Sequence, residues 1–194
     1  MRISSGLVIV LMFVAFHVMA SELSSRAVFY LERARDKSVP LDDRCAAYDS
    51  VLSLDPHKDD WEILLEKAGL LGRENRSEES KAIYDYILST ISPDAVDIYC
   101  RVMFGRGNMM LYAYDTQAAA NDFGSVLSVQ KPDSLLYWDA KSYLRLADLS
   151  SLLGNLSDSE AFYNKSAKTY NALLRRGLVP ESEKLEFKLH AYQA

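Results

Sequence analysis

The segment Tyr48-x-x-Val51-Leu52 returns as Tyr84-x-x-Ile87-Leu88, as Phe123-x-x-Val126-Leu127 and as Tyr170-x-x-Leu173-Leu174. The aromatics stand 36, 39 and 47 residues apart, and Pro56, Pro93, Pro132 and Pro180 follow them by eight to ten residues. A unit of this length is one helical hairpin, too small to bury its own apolar face, so successive hairpins must stack on one another. The repeat therefore predicts an all-α chain.

The helix signals divide the chain at the same period. Val28, Leu31 and Ala34 lie one turn apart before Ser38-Val39-Pro40 interrupts, and a second helix follows from Asp42 to Leu54. Asp59 or Asp60 opens a helix carrying Trp61, Leu64, Leu65, Ala68 and Leu71 on one face, and Ser77 with Glu78 and Glu79 opens its partner. Pro93 suits a first helical turn, with Asp94 and Asp97 at the positive end of the helix dipole, and Asp115 caps the segment to Val129. Pro132-Asp133 repeats that opening; Gly154-Asn155 stops the helix, and Ser157 starts one ending at Gly177. The predicted hairpins span roughly 25–54, 60–91, 94–129 and 133–176, with a last helix over 181–192.

These residues resemble the tetratricopeptide repeat family. In that family a small residue in the first helix admits the second closely, an aromatic in the second fills the gap, and a proline closes the unit. Ala68 precedes Tyr84 by sixteen residues and Gly107 precedes Phe123 by the same sixteen, while Ser80 and Ala119 supply small residues four before each aromatic. Tyr48 to Pro56 resembles the family's usual unit ending. The resemblance covers residues 25 to 180 and implies an α-α superhelix of about four hairpins. Two departures are plain. Glu32 stands sixteen before Tyr48, so the first hairpin is expected to pack differently. Ala147 precedes Tyr170 by twenty-three, so the fourth hairpin is expected to be longer, by one turn in each helix.

Residues 1–20 carry Arg2, an apolar run from Leu7 to Phe16 and Val18-Met19-Ala20, the pattern of a secretory signal peptide. The run is short for a spanning helix, and Ser21 is not the cysteine that a lipoprotein needs. The expected product is an exported, periplasmic chain beginning near Ser21. Without Arg2 it holds 21 basic against 27 acidic residues, which argues against a nucleic-acid partner. Cys45 and Cys100 fall in different hairpins and are expected to be separate thiols, too far apart for a disulfide.

No residue set identifies a reaction. Gly105-Arg106-Gly107 lacks the strand-to-helix setting of a phosphate loop, and a tight helix contact explains Gly107 better. His57 and His190 have no ligand spacing around them, and the acidic runs sit at helix starts, so neither a catalytic group, a cofactor nor a metal is expected. Asn75, Asn155 and Asn164 open Asn-x-Ser sequons.

The tetratricopeptide resemblance implies that first-helix residues line a concave groove for a protein or peptide partner. Transferred residue by residue, the inner positions are Glu62, Leu65 and Arg73, then Arg101, Phe104, Asn108 and Tyr112, then Lys141, Arg145 and Asp148. Of these, Phe104 and Tyr112 are expected to grip an apolar side chain, and Arg101, Lys141 and Arg145 to meet a carboxylate, with Asn108 beside them. The leading expectation is an interaction scaffold. The alternative is the extracytoplasmic sensor region of a membrane-bound bacterial regulator, in which case the reading frame would continue beyond Ala194 into a membrane helix.

Overall fold

The computed structural model describes residues 24–54 and 60–179. Over them the chain is all-α: α1 (24–35), α2 (Leu41–Leu54), α3 (Trp61–Arg73), α4 (Ser77–Thr90), α5 (Val96–Tyr112), α6 (Thr116–Ser128), α7 (Tyr137–Leu152) and α8 (Leu156–Arg175). A single 3₁₀ turn, Asp133–Leu135, precedes α7. No strand occurs among the described residues. The helices pack in adjacent pairs, the arrangement of a helical repeat. The predicted signal peptide, the helix over 181–192 and both His57 and His190 lie outside the described residues.

Two compact units divide within α3, one ending at Lys67 and the other beginning at Ala68. In the first, the five residues 36–40 join α1 to α2, and Ala34, not Glu32, is the fully buried small residue of α1. Arg44 Nε donates to the Ala34 carbonyl at 2.9 Å, tying α2 to the end of α1. Tyr48 is buried, and its hydroxyl donates to Glu66, which also receives a two-pronged pair from Arg35 at 2.6 and 2.9 Å.

The second unit holds the regular part of the repeat. Each of its three hairpins turns through three residues: 74–76, 113–115 and 153–155. The middle residue is left-handed in all three, with φ of 62° at Asn75, 60° at Tyr114 and 78° at Gly154. The following N–H, of Arg76, Asp115 or Asn155, bonds back to the carbonyl of Leu71, Met110 or Ser150. This is a Schellman ending repeated three times, and it gives each hairpin the same reversal. Asp115 also accepts from the Ala118 N–H at 3.0 Å, the predicted cap of α6. Pro93 lies in a turn before α5, which begins only at Val96, so it closes the connection and does not occupy a first helical turn.

The left-handed position is native to glycine and costs an L-residue roughly 1–2 kcal/mol. Tyr114 occupies it while 92% exposed, so its ring returns little by packing. Tyr114→Gly is expected to stabilise the protein by about 1 kcal/mol and to raise the thermal midpoint by roughly 2–4 °C, measured by circular dichroism.

Small residues set the helix spacing. Ala68 and Ala147 are fully buried, and Ser80 Oγ and Ser159 Oγ, each twelve residues later, donate to their carbonyls at 2.8 and 3.0 Å. A methyl added at Gly107 would lie 2.7 Å from Phe123 Cε1, so that helix contact admits only glycine. The fourth hairpin departs from expectation. The extra length is not shared between its helices: α7 has 16 residues against 17 in α5, whereas α8 has 20 against 13 in α6. Because the Ala147–Ser159 rung matches Ala68–Ser80, Tyr163 holds the position sixteen after the small residue. Tyr170 lies two turns further, in a second rung where Ser166 Oγ donates to the Ala140 carbonyl at 2.8 Å and Tyr170 packs on Ala140 and Leu173. Cys45 and Cys100 are buried free thiols, as expected, and burial pushes the Cys100 thiol up to about 11.

Candidate functional site: a cationic pocket on α3, α5 and α7

The six candidate groove residues do not form one site. Phe104 is buried in the core of the second unit, its ring 5.6 Å from that of Phe123 and 5.5 Å from that of Trp138. It is a packing residue, and the expectation that it grips a ligand is corrected. Lys141 sits with it, its ammonium 5.3 Å from the Phe104 ring centre and 5.2 Å from that of Trp138. Cation–π attraction thus holds a charge that was expected to await a carboxylate. Trp138 is itself fixed by its Nε1–H, which donates to Asp97 at 2.9 Å. Arg101 is half-buried on α5 and is not part of the pocket described next.

Asn108, Tyr112 and Arg145 do come together. With Arg73 and Tyr84 they line a pocket of about 200 Å³, over a floor made by Gly69, Gly72, Gly105 and Met109. The carbon that Gly105 lacks would stand 2.7 Å from the Tyr84 hydroxyl, so the bare backbone of α5 is what lets that ring cross beneath it. A carbon on Gly72 would stand 2.8 Å from Met109 Cγ, so close helix packing requires that glycine as well. Gly69 is different: an added carbon would meet only Arg73 Nη1 at 3.5 Å and the Tyr84 hydroxyl at 4.0 Å, ordinary contacts.

The pocket's polar groups are donors with little to donate to. No carboxylate lines it, and among the described residues Arg73 has no ion-pair partner. Arg145 makes one long contact, 3.4 Å to Asp148, whose other oxygen accepts from Tyr163 at 2.7 Å. Tyr84 is 2% exposed, and its hydroxyl has no hydrogen-bond partner among the described residues. Burial pushes that phenol up to about 12, against a smaller opposing pull from Arg73, so it keeps its proton at physiological pH.

A second hollow, about 420 Å³, is lined by Leu88, Ile91, Ser92, Pro93, Tyr99, Met103 and Arg106. Its one cation is already saturated, since Arg106 meets Asp122 through two nitrogens at 2.9 and 2.7 Å and Asp85 through a third at 2.7 Å. Among the described residues no group of His, Cys, Asp and Glu is arranged to hold a metal, and no helix is long and apolar enough to cross a membrane. No family model, curated protein or solved structure matches the chain.

Sequence reasoning picked out Asn108, Tyr112, Arg145 and Arg73 but read Tyr84 only as a packing aromatic. The available signal was Gly69-x-x-Gly72 inside a helix. Glycine there costs roughly 0.5–1 kcal/mol relative to alanine and calls for a reason.

Proposed function

We propose that this chain is an exported, tetratricopeptide-like scaffold that holds a partner protein or peptide along the wall made by α5 and α7. The observation that carries this reading is the convergence of Asn108, Tyr112 and Arg145, from two successive first helices, on one open face of the repeat. A stack of hairpins places equivalent positions side by side, which suits an extended segment better than a reaction centre. Tyr112 is 53% exposed and supplies by itself the apolar contact expected of Phe104 and Tyr112 together. Arg145 supplies the charge, since Lys141 is held against aromatic rings.

The test is crosslinking and affinity recovery from the native cell envelope, with Tyr112→Ala/Arg145→Glu beside the parent protein. Both side chains are largely outside the core, so helicity by circular dichroism should be unchanged. The scaffold reading expects a partner recovered with the parent and reduced at least tenfold with the variant. Equal recovery from both would reject this wall as the docking face.

A further inference from the structure

The Tyr84 ring is buried, but its hydroxyl opens onto the pocket and has no hydrogen-bond partner among the described residues. It lies between Gly69 and Gly105 at the floor of the pocket, within about 4 Å of the same point over Gly69 that Arg73 Nη1 approaches at 3.5 Å. Two donors thus meet above a glycine that packing does not require.

We propose that the pocket is a receptor for a small dianion bearing oxyanion groups, a short dicarboxylate or a phosphate. Arg73 and Arg145 hold its charge, and the Tyr84 hydroxyl and the Asn108 amide donate to its oxygens. Charge selects the class: Arg73 has no ion-pair partner among the described residues, Arg145 has only the long 3.4 Å contact to Asp148, and no carboxylate lines the pocket, which leaves a positive excess there. Size selects the scale: about 200 Å³ is below the ~300–1,000 Å³ of sites that take drug-sized ligands. Guanidinium geometry suits paired oxygens, as in a carboxylate or phosphate, and charge-assisted bonds of this kind are the strong ones. The Gly69 vacancy then has a use, because a side chain there would occupy the space where the oxyanion meets Arg73 and Tyr84. The anion site shares Asn108 and Arg145 with the partner-binding wall, but anion binding and partner recovery are measured separately and either can fail alone.

The test is isothermal titration calorimetry of the full chain at low ionic strength with succinate, inorganic phosphate and, as the uncharged control, succinamide. Saturable binding of succinate or phosphate is expected, with none for succinamide, and the anion that binds distinguishes the carboxylate from the phosphate source. Tyr84→Phe keeps the ring and removes only the hydroxyl; Arg73→Gln alters an exposed side chain. Each should weaken binding at least tenfold without lowering the melting temperature. Gly69→Ala should raise the melting temperature while weakening binding, an outcome that a purely structural role for the glycine does not produce. Absence of saturable binding by both anions at millimolar concentrations, equal binding of succinamide, or unchanged affinity in Tyr84→Phe and Arg73→Gln would overturn the proposal.

Discussion

Asp122→Ala is expected to destabilise the protein by about 3 kcal/mol, lowering the thermal midpoint by roughly 6–12 °C. Asp122 is 5% exposed and receives Arg106 Nε and Nη2 at 2.9 and 2.7 Å, while the third nitrogen of the same guanidinium reaches Asp85 at 2.7 Å. One cation therefore joins α4, α5 and α6. Its pKa is raised chiefly by the hydrogen bonds to Asp122, against its own desolvation. Asp85 is half exposed; its partial burial pushes it up, but hydrogen bonds from Lys81 and Arg106 hold its carboxyl below the usual range. Removing Asp122 leaves a largely buried guanidinium with one surface partner, and that unpaired charge is the source of the penalty. Asp85→Ala should cost only about 1 kcal/mol, because the exposed limb is screened by solvent. The double variant Arg106→Met/Asp122→Leu should recover most of the loss, since replacing both members by apolar groups removes the buried charge itself. Chemical denaturation of the four proteins measures these values. A loss below about 1 kcal/mol for Asp122→Ala would place the pair with ordinary surface salt bridges.

The hairpin period was legible because it rests on local signals. Asp115 caps α6 through its own side chain, and Gly154 reverses the chain where a helix signal ends. The small-to-aromatic spacing of sixteen located Gly107 against Phe123, since both residues belong to one hairpin whose turn has a fixed length. Phe104 and Lys141 were misplaced for a different reason. At about 100° per residue, Phe104 lies on α5 between the directions of Gly107, which faces the core, and Asn108, which faces the pocket. Periodicity along one helix does not say which neighbour claims such a boundary position. Trp138, more than thirty residues away, decides it by offering its ring to both Phe104 and Lys141. Tyr84 was hidden in the same way, because its position in the repeat assigns the ring to packing but says nothing of where the hydroxyl ends. Tyr170 carried the repeat motif, yet Ser159 on Ala147 shows that the seven added residues lengthen α8 alone. A sequence spacing counts residues and cannot apportion them between two helices.

Gly107→Ala should be destabilising although alanine is the better helix former. Alanine in a helix interior gains about 1 kcal/mol over glycine. At Gly124 nothing lies within 4 Å of the added carbon, so Gly124→Ala should realise that gain in full. At Gly107 the same carbon meets three atoms of the Phe123 ring at 2.7, 3.0 and 3.1 Å. That ring cannot retreat. It is fully buried, it packs on Phe104, and Ala119, Val126 and Trp138 share its cluster. Overpacking a core by one carbon costs about 1–3 kcal/mol, so the net loss for Gly107→Ala is expected near 1–2 kcal/mol after the propensity gain. Phe123→Ala removes the plug instead and should cost about 3–5 kcal/mol, the largest single effect anticipated in this chain. The two changes are coupled through one contact. In Gly107→Ala/Phe123→Leu the smaller, flexible side chain makes room for the new methyl, so the double variant should be more stable than the sum of the single changes by at least 0.5 kcal/mol. Strict additivity in that cycle, with Gly107→Ala as stabilising as Gly124→Ala, would mean that α5 and α6 are not held apart by this ring and that the spacing of the hairpin has another origin.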